Sequence, residues 1–371
     1  KVLFIIPGCI GLFFHLIPFI DQQHNTLALF YRKGKYRQIL SRDPFRGIHH
    51  EQTYIRLIHG FNGAYNGIKF EVLMNLGFFT DTGGIDPASQ GWPMFDPRDF
   101  RNFQFVRQDC RQWFKRQDDS DFDYVLHLAA MVGGRAMIEN KPLAVADDLA
   151  IDAEYWQWAE RVHPKKTVCF SSSAAYPINF QKDGDYRLLT EDTIRFDGDL
   201  GMPDMTYGWA KLTCEYLARL AFEKHGIKSV CYRPFSGYGE DQDDSYPFPS
   251  ICKRAMANIG KPVLTVWGTG DQMRDFIHIE DCVDGVLATM DQIDDGDALN
   301  LSTGIYTSFK QFARIAAEEC GYFPEVQGLS DKPAGVFARG GDTTRQNLLG
   351  FQYKVPFREG IRATLKYLEG G

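Results

Sequence analysis

The sequence predicts an α/β fold, a doubly wound parallel sheet with a smaller C-terminal α/β region. Three observations point there. An apolar, β-prone run, Thr167-Val168-Cys169-Phe170, ends in the hydroxyls Ser171, Ser172 and Ser173 and then a turn, as a buried parallel strand does. Toward the N-terminus, strand-like runs lead into glycine-bearing turns, the pattern that sets a helix N-terminus against a phosphate. Late in the chain, Ser308 to Glu319 is apolar at spacings of three and four, which predicts an amphipathic helix.

At 371 residues the chain can hold one large α/β unit or two domains. Its 44% apolar and 24% charged content is ordinary for a soluble globular protein. A net charge of −7 disfavours a nucleic-acid partner, and an anionic substrate would need a local Arg or Lys cluster against that background. Eight Cys are scattered with no CxxC pair, which argues against a zinc site. Cys169 and Cys231 lie in apolar runs and read as reduced core thiols of a cytoplasmic protein.

From Val2 to Ile20 no residue is charged, a length close to that of a membrane span. Pro7, Gly8, Gly11, His15 and Pro18 make a poor membrane helix, and no basic segment or small-residue cleavage site marks a signal peptide. A buried strand, turn and helix is expected instead, so a membrane anchor is disfavoured. Two stretches compete for the first strand and its phosphate-binding turn. Lys1 to Gly11 offers a strand with Gly8 and Gly11, and Thr26 to Arg32 would be its second strand. Tyr54 to Gly67 offers Gly60, Gly63 and Gly67, then a helix from Ile68 to Leu76 and a short strand, Phe78-Phe79-Thr80-Asp81, ending in a carboxylate for a ribose. Phe103 to Cys110 reads as the third strand, and Asp109 at its end could be a cap.

The central signal is Tyr207-Gly208-Trp209-Ala210-Lys211. On a helix, residues four apart share a face. An ammonium beside a phenol favours the phenolate and lowers the Tyr pKa from about 10, making the Tyr usable as a general acid or base. A Ser at the carboxyl end of a parallel strand lies where open α/β sheets bind ligands. Ser, Tyr and Lys together suit alcohol–ketone interconversion, with hydride passing to a nicotinamide.

Ser171-Ser172-Ser173-Ala174-Ala175-Tyr176-Pro177 followed by Tyr207-Gly208-Trp209-Ala210-Lys211 resembles the active site of the extended short-chain dehydrogenase/reductases, the nucleotide-sugar epimerase/dehydratase group. Other segments agree in order. Val125-Leu126-His127-Leu128-Ala129-Ala130 resembles that family's fourth strand, and Tyr232 to Gly239 its strand and loop beside the nicotinamide. Gly268 to Asp281 is similar to the segment that brings an Arg to the sugar nucleotide's phosphates, and Asn300 to Gly304 and Arg339 to Thr343 match the late substrate-domain pattern. The resemblance covers roughly residues 100 to 371. It implies a Rossmann-type dinucleotide-binding domain over residues 1–235, atypical in 1–80, and a mainly substrate-binding domain over 236–371.

The resemblance also assigns roles. Tyr207 would accept a sugar hydroxyl's proton, Lys211 would lower the Tyr pKa and hold the nicotinamide ribose, and Ser172, with Ser173 as its rival, would orient the hydroxyl. Leu128, Ala129, Ala130 and Phe235 would line the cofactor, which is expected to be NAD, with NADP the alternative, and Asp109 would contact the adenine edge. Gly60 lies about 150 residues before Tyr207, near the family's layout, whereas Gly8 demands an insertion of roughly 50 residues, so Gly60, Gly63 and Gly67 are preferred. A third alternative is that residues 1–80 build no proper nucleotide site. Arg274 is the expected phosphate ligand, unless it pairs with Asp275 or Glu280, and Arg339 is a second candidate. His278 and Asp281 read as loop and cap residues. Trp209 reads as packing, and of Trp156 and Trp158 one is expected inside and the other at a rim.

Within that family, 4,6-dehydratases carry an Asp-Glu pair after the catalytic Ser or Thr, where this chain has Ser173 and Ala174. The 3,5-epimerases and epimerase-reductases carry a Cys where this chain has Ala174, paired with a downstream Lys or His that the loop Glu240 to Tyr246 lacks. Met131-Val132-Gly133-Gly134 and Ala175-Tyr176-Pro177 nonetheless look like the GDP-sugar branches. What remains is hydride chemistry at one carbinol carbon. A nucleotide-sugar 4-epimerase is expected, with a 4-keto reductase or dehydrogenase, or a catalytically silent nucleotide-sugar-binding homologue, as alternatives. A cytoplasmic homodimer is the expected form.

Overall fold

The computed structural model describes strand backbone at residues 2–7, 70–75 and 103–107 and, apart from 132–134, 241 and 333, all residues from 109 to 369. Its strands are β1 (Val2–Pro7), β2 (Phe70–Asn75), β3 (Phe103–Arg107), β4 (Tyr124–His127), β5 (Thr167–Phe170), β6 (Ser229–Pro234), β7 (Val263–Trp267), β8 (Met273–Asp275), β9 (Asp295–Leu301), β10 (Tyr306–Ser308), β11 (Glu325–Leu329) and β12 (Ala338–Arg339). Its helices are α1 (Cys110–Arg116), α2 (Arg135–Asn140), α3 (Pro142–Val145), α4 (Asp147–Val162), α5 (Met205–His225), α6 (Pro247–Ala257), α7 (Ile279–Thr289), α8 (Phe309–Glu319), α9 (Thr344–Leu348) and α10 (Phe357–Glu369).

Seven strands form one parallel sheet in the order β3-β2-β1-β4-β5-β6-β9. The direction of strand addition reverses between β1 and β4, and a crevice opens at the carboxyl ends at such a switch point. The strand-like run after Lys1 is thus the central strand. Phe70–Asn75 pairs with it from Val2↔Phe70 to Pro7↔Asn75. This corrects the expected helix from Ile68 to Leu76: its run Phe70-Glu71-Val72-Leu73-Met74 serves as a strand, and sheet pairing on both sides overrides helical propensity. The second strand is therefore not Phe78 to Asp81. Gly8, Gly11, Gly60, Gly63, Gly67 and the run Thr26 to Arg32 lie outside the described residues.

Every residue of β5 and β6 is buried, as strands covered on both faces require. On one side, α1, α4 and α5 pack around Trp113, Phe114, Phe122, Tyr155 and Trp158 with Cys169 and Cys231 of the sheet. Trp158 lies 5.5 Å from both Trp113 and Phe114. Trp156 and Trp158 are both buried, contrary to the expected split, because α4 packs against α1 and against α5 on different faces. A second core joins α6, α8 and α10 through Tyr238, Phe248, Phe276, Phe312 and Phe357. The expected C-terminal helix runs from Phe309 to Glu319, with Ser308 as its cap accepting from Gln311 N. Among the described residues no helix is long and apolar enough to cross a membrane.

Helix α5 is fitted closely to the turn after β5. Asp204 N donates to Ala174 O at 2.9 Å, and a Cβ on Gly208 would lie 2.4 Å from the same oxygen. Only a glycine lets the helix approach there. Gly208→Ala should force the two apart and destabilise the fold by about 1–3 kcal/mol. A lowered midpoint in denaturant unfolding checks this, and an unchanged midpoint would contradict the close fit.

Candidate active site

Beyond the carboxyl ends of β4 and β5, three sequence-predicted side chains meet. Tyr207 and Lys211 lie one turn apart on the buried face of α5, with Lys211 Nζ 5.7 Å from the Tyr207 ring centroid. Ser172 follows β5 and accepts a hydrogen bond from Ala174 N at 3.1 Å. Its hydroxyl lies near enough to the Tyr207 phenol to favour the phenolate, though short of a well-formed hydrogen bond. Of its neighbours, Ser171 is committed to Glu215 through its hydroxyl, and Ser173 begins a short 3-10 turn. Trp209, expected to pack, is 41% exposed, since two residues past Tyr207 the helix faces solvent.

Electrostatics correct one expectation. Burial drives the Tyr207 phenol up to about 12, while Lys211 and Ser172 pull it down. In this chain by itself, loss of solvent outweighs the neighbouring ammonium. The backbone two residues before Tyr207 is also unusual. Met205 has φ of 55°, a left-handed conformation that costs a side-chain-bearing residue energy.

Sequence reasoning missed the anions behind Lys211. Asp148 Oδ2, on α4, lies 3.8 Å from Lys211 Nζ, and Asp148 Oδ1 accepts from Met131 N. One turn on, Asp152 Oδ1 contacts His127 Nε2 at 2.8 Å, and the His127 ring stacks on Tyr155 at 4.2 Å. Burial pushes the Asp148 carboxyl up to about 7 against the pull of Lys211. For Lys211, burial works against its charge, but Asp148 prevails and the ammonium is held above its ordinary range. The overlooked signal was a pair of acids four apart, at 148 and 152, in a helix otherwise rich in core residues.

A second cluster gathers guanidinium groups. Arg135 of α2 donates to Asp204 at 2.8 and 3.0 Å, and Arg339 of β12 donates to the same carboxylate at 2.8 Å. Burial would raise Asp204, but Arg339 and Arg135 outweigh it and hold the carboxyl at about 2. Arg274 faces this group without joining an ion pair among the described residues, and donates instead to Met273 O and Phe337 O. Burial, with the charges of Arg339 and Arg135, lowers Arg274 to about 9, still protonated at neutral pH. The alternative, a pair with Asp275 or Glu280, is not found for Arg274 among the described residues. Asp275 instead accepts from Thr303 N and Oγ1, Gly304 N and Gly341 N. His278 caps α7 by accepting from Glu280 N, and Asp281 accepts from Lys354 N and Val355 N. Arg135 and Asp204 carried no motif and were not foreseen.

The remaining predicted residues divide. Ala129 and Ala130 are buried just after β4, and Ala130 packs with Ala174 and Tyr207, while Leu128 is half-buried. Phe235 belongs to a different cluster, against Tyr176 and Leu212, and its ring closes on Gly341. Asp109 caps α1, accepting from Arg111 N and pairing with the Arg111 guanidinium at 2.7 Å. Tyr207 Oη and Asp148 Oδ2 are buried without a hydrogen-bond partner among the described residues. Orphaned polar atoms beside an ammonium fit a group that brings hydroxyls, such as a cofactor ribose or a sugar.

Residues 84–302, well over half of the chain, match the model of the NAD dependent epimerase/dehydratase family. The chain is 27% identical to GDP-L-colitose synthase of Yersinia pseudotuberculosis over 256 residues, 66% of this chain and 80% of that protein. Among solved structures it resembles DesIV, a dTDP-glucose 4,6-dehydratase from Streptomyces venezuelae with NAD bound, at a TM-score of 0.69 and 18% identity, over 100% of this chain and 97% of that one. It also resembles the UDP-glucose 4-epimerase of Thermus thermophilus in complex with NAD, at 0.65 and 18%, over 100% and 99%. At that identity the two structures speak for the fold.

Asp204 gives a pH prediction. Its folded pKa lies below the ordinary 3.8, so its carboxylate stabilises the fold above about pH 4, and that contribution is lost as pH falls toward 2. Asp204→Asn should cost about 2 kcal/mol at neutral pH and progressively less on acidification. Denaturation midpoints of both proteins at neutral and acid pH check this, and a pH-independent difference would refute it.

Proposed function

The chain belongs to the NAD dependent epimerase/dehydratase family, and from that premise we propose that it is an NAD-dependent nucleotide-sugar epimerase of the 4-epimerase kind, working by reversible hydride transfer at one sugar carbinol. The observation that carries the reading is the buried Ser172–Tyr207–Lys211 set with the phenol oxygen left orphaned. Bound NAD would supply the hydride acceptor and later donor, and its cationic ring a further charge favouring the phenolate.

The chain's own residues supply the rest. Tyr207 as phenolate takes the proton of the sugar hydroxyl as hydride leaves the same carbon, and returns it when hydride is delivered to the opposite face of the ketone. Ser172 orients that hydroxyl. Lys211 favours the phenolate and offers donors to the cofactor ribose. Arg274, free of carboxylate partners among the described residues, takes the substrate's phosphates, with Arg339 and Arg135 beside it. Ala174, packed with Tyr207, offers no acid or base for water loss or for epimerisation beside the ketone. A 4-keto reductase or dehydrogenase is the second reading. Both use the same three residues and differ in whether the cofactor is regenerated within one cycle.

A panel of nucleotide sugars tests the reading. Epimer exchange with bound NAD, without net NADH, is expected. Net NADH formation would select a dehydrogenase, NADH consumption with a keto sugar a reductase, nucleotide-sugar binding without turnover the silent homologue, and no binding of NAD or of any nucleotide sugar would sink the reading. Tyr207→Phe should lower turnover by about 10²–10⁴ while NAD still binds. Arg274→Met should raise the KM for the nucleotide sugar by about tenfold or more, with a smaller change in kcat, as measured by initial rates.

A further inference from the structure

We propose that Asp148 is a positioning residue that fixes Lys211 and biases the site toward the oxidised, cationic form of the cofactor. This rests on the oxidoreductase reading above.

The geometry argues for more than helix packing. Asp148 is almost fully buried, and one oxygen is satisfied by Met131 N, which fastens the backbone beyond β4 to α4. Its other oxygen has no hydrogen-bond partner among the described residues and lies 3.8 Å from Lys211 Nζ. A side chain retained only to hold Met131 N needs one acceptor and no charge, and an Asn would serve. The charge itself is costly here, since a buried carboxylate is stable only opposite a cation.

The surroundings show where that charge acts. Facing Asp148 and Lys211 are Tyr207 and Cys214 of α5, Asp147 and Asp152 of α4, and, through Asp152, His127 of β4; Arg339 reaches Tyr207 from the C-terminal region. Asp152 is hydrogen-bonded to His127 and also acts on Lys211, but Asp148 is the carboxylate within ion-pair distance of that ammonium. On the reading above, Lys211 would hold the nicotinamide ribose, so Asp148 would act on the cofactor from behind that ammonium, and a cationic ring there would favour its ionised form. The oxidised ring carries a positive charge and the reduced ring none. A buried anion therefore favours NAD over NADH, which suits a site whose first step is to accept hydride.

The test is the ratio of NADH to NAD dissociation constants, measured by titration on the full chain without substrate. Asp148→Asn keeps the acceptor for Met131 N and removes the charge, and Asp148→Ser is a second, smaller variant. Both should shift the ratio toward NADH by about tenfold or more, the scale of one charge acting through a partly buried site. An unchanged ratio with both nucleotides still bound would overturn the proposal, as would failure of both variants to fold, which would make Asp148 structural. Failure of the unmodified chain to bind either nucleotide would instead sink the oxidoreductase reading itself.

Discussion

The buried pair Arg233–Glu215 is the interaction on which the site's geometry depends. Glu215 of α5 accepts two hydrogen bonds from the guanidinium of Arg233 on β6, at 2.8 and 2.6 Å, and one from the Ser171 hydroxyl at the end of β5. Arg233 also donates to Tyr176 Oη at 3.0 Å and to Glu191 O at 3.1 Å, and Tyr176 donates to Asn300 Oδ1 of β9 at 2.7 Å. Three strands and one helix are thus tied through two charges that water does not reach. Such a pair adds modest net stability compared with apolar packing, but losing one partner strands the other charge. Its consequence is geometric: Ser171 is anchored to α5 by its own side chain, so the next residue, Ser172, is held opposite Tyr207.

The same helix then carries a second ionic problem one turn earlier. Tyr207 and Lys211 must be buried to exclude water, yet burial opposes the phenolate and the ammonium alike. Lys211 stays charged because Asp148 answers it. Tyr207 remains a neutral phenol in the chain alone. The phenol oxygen and the Asp148 oxygen that faces Lys211 are two sides of one arrangement, polar atoms held out of water without a hydrogen-bond partner among the described residues.

Much of this was legible in the residues and some was not. β5 and its serines, the Tyr–Lys helix, the helix from Ser308 to Glu319 and the cap at His278 follow from local pattern, and local pattern is what short-range physics writes into a sequence. The first βαβ unit was misplaced because its strands, Val2–Pro7 and Phe70–Asn75, are separated by a stretch far longer than an ordinary crossover, and spacing from Tyr207 pointed to the nearer glycines. Arg135–Asp204, Arg339–Asp204 and Arg233–Glu215 escaped notice because partners 69, 135 and 18 residues apart in sequence leave no periodic trace. The Tyr207 pKa was read from its neighbour alone, and burial, a tertiary property, reversed the sign.

The two missed clusters make sense together. Tyr207 feels Asp148 from one and Arg339 from the other, the first opposing the phenolate and the second favouring it. The anions, Asp148 and Asp152, gather beside Lys211; the cations, Arg135, Arg274 and Arg339, gather near Asp204, with Glu139 also paired to Arg135. A net-acidic chain keeps three guanidinium groups this close only where an anion is to be met, and sets a carboxylate beside a lysine it could have left to solvent only where a cation must be held. On the proposed function, the first demand is the substrate's phosphates and the second the oxidised cofactor, and the phenol lies where the two fields overlap. Its proton affinity is then set jointly by what is bound on either side, which ties proton transfer to occupancy of both sites.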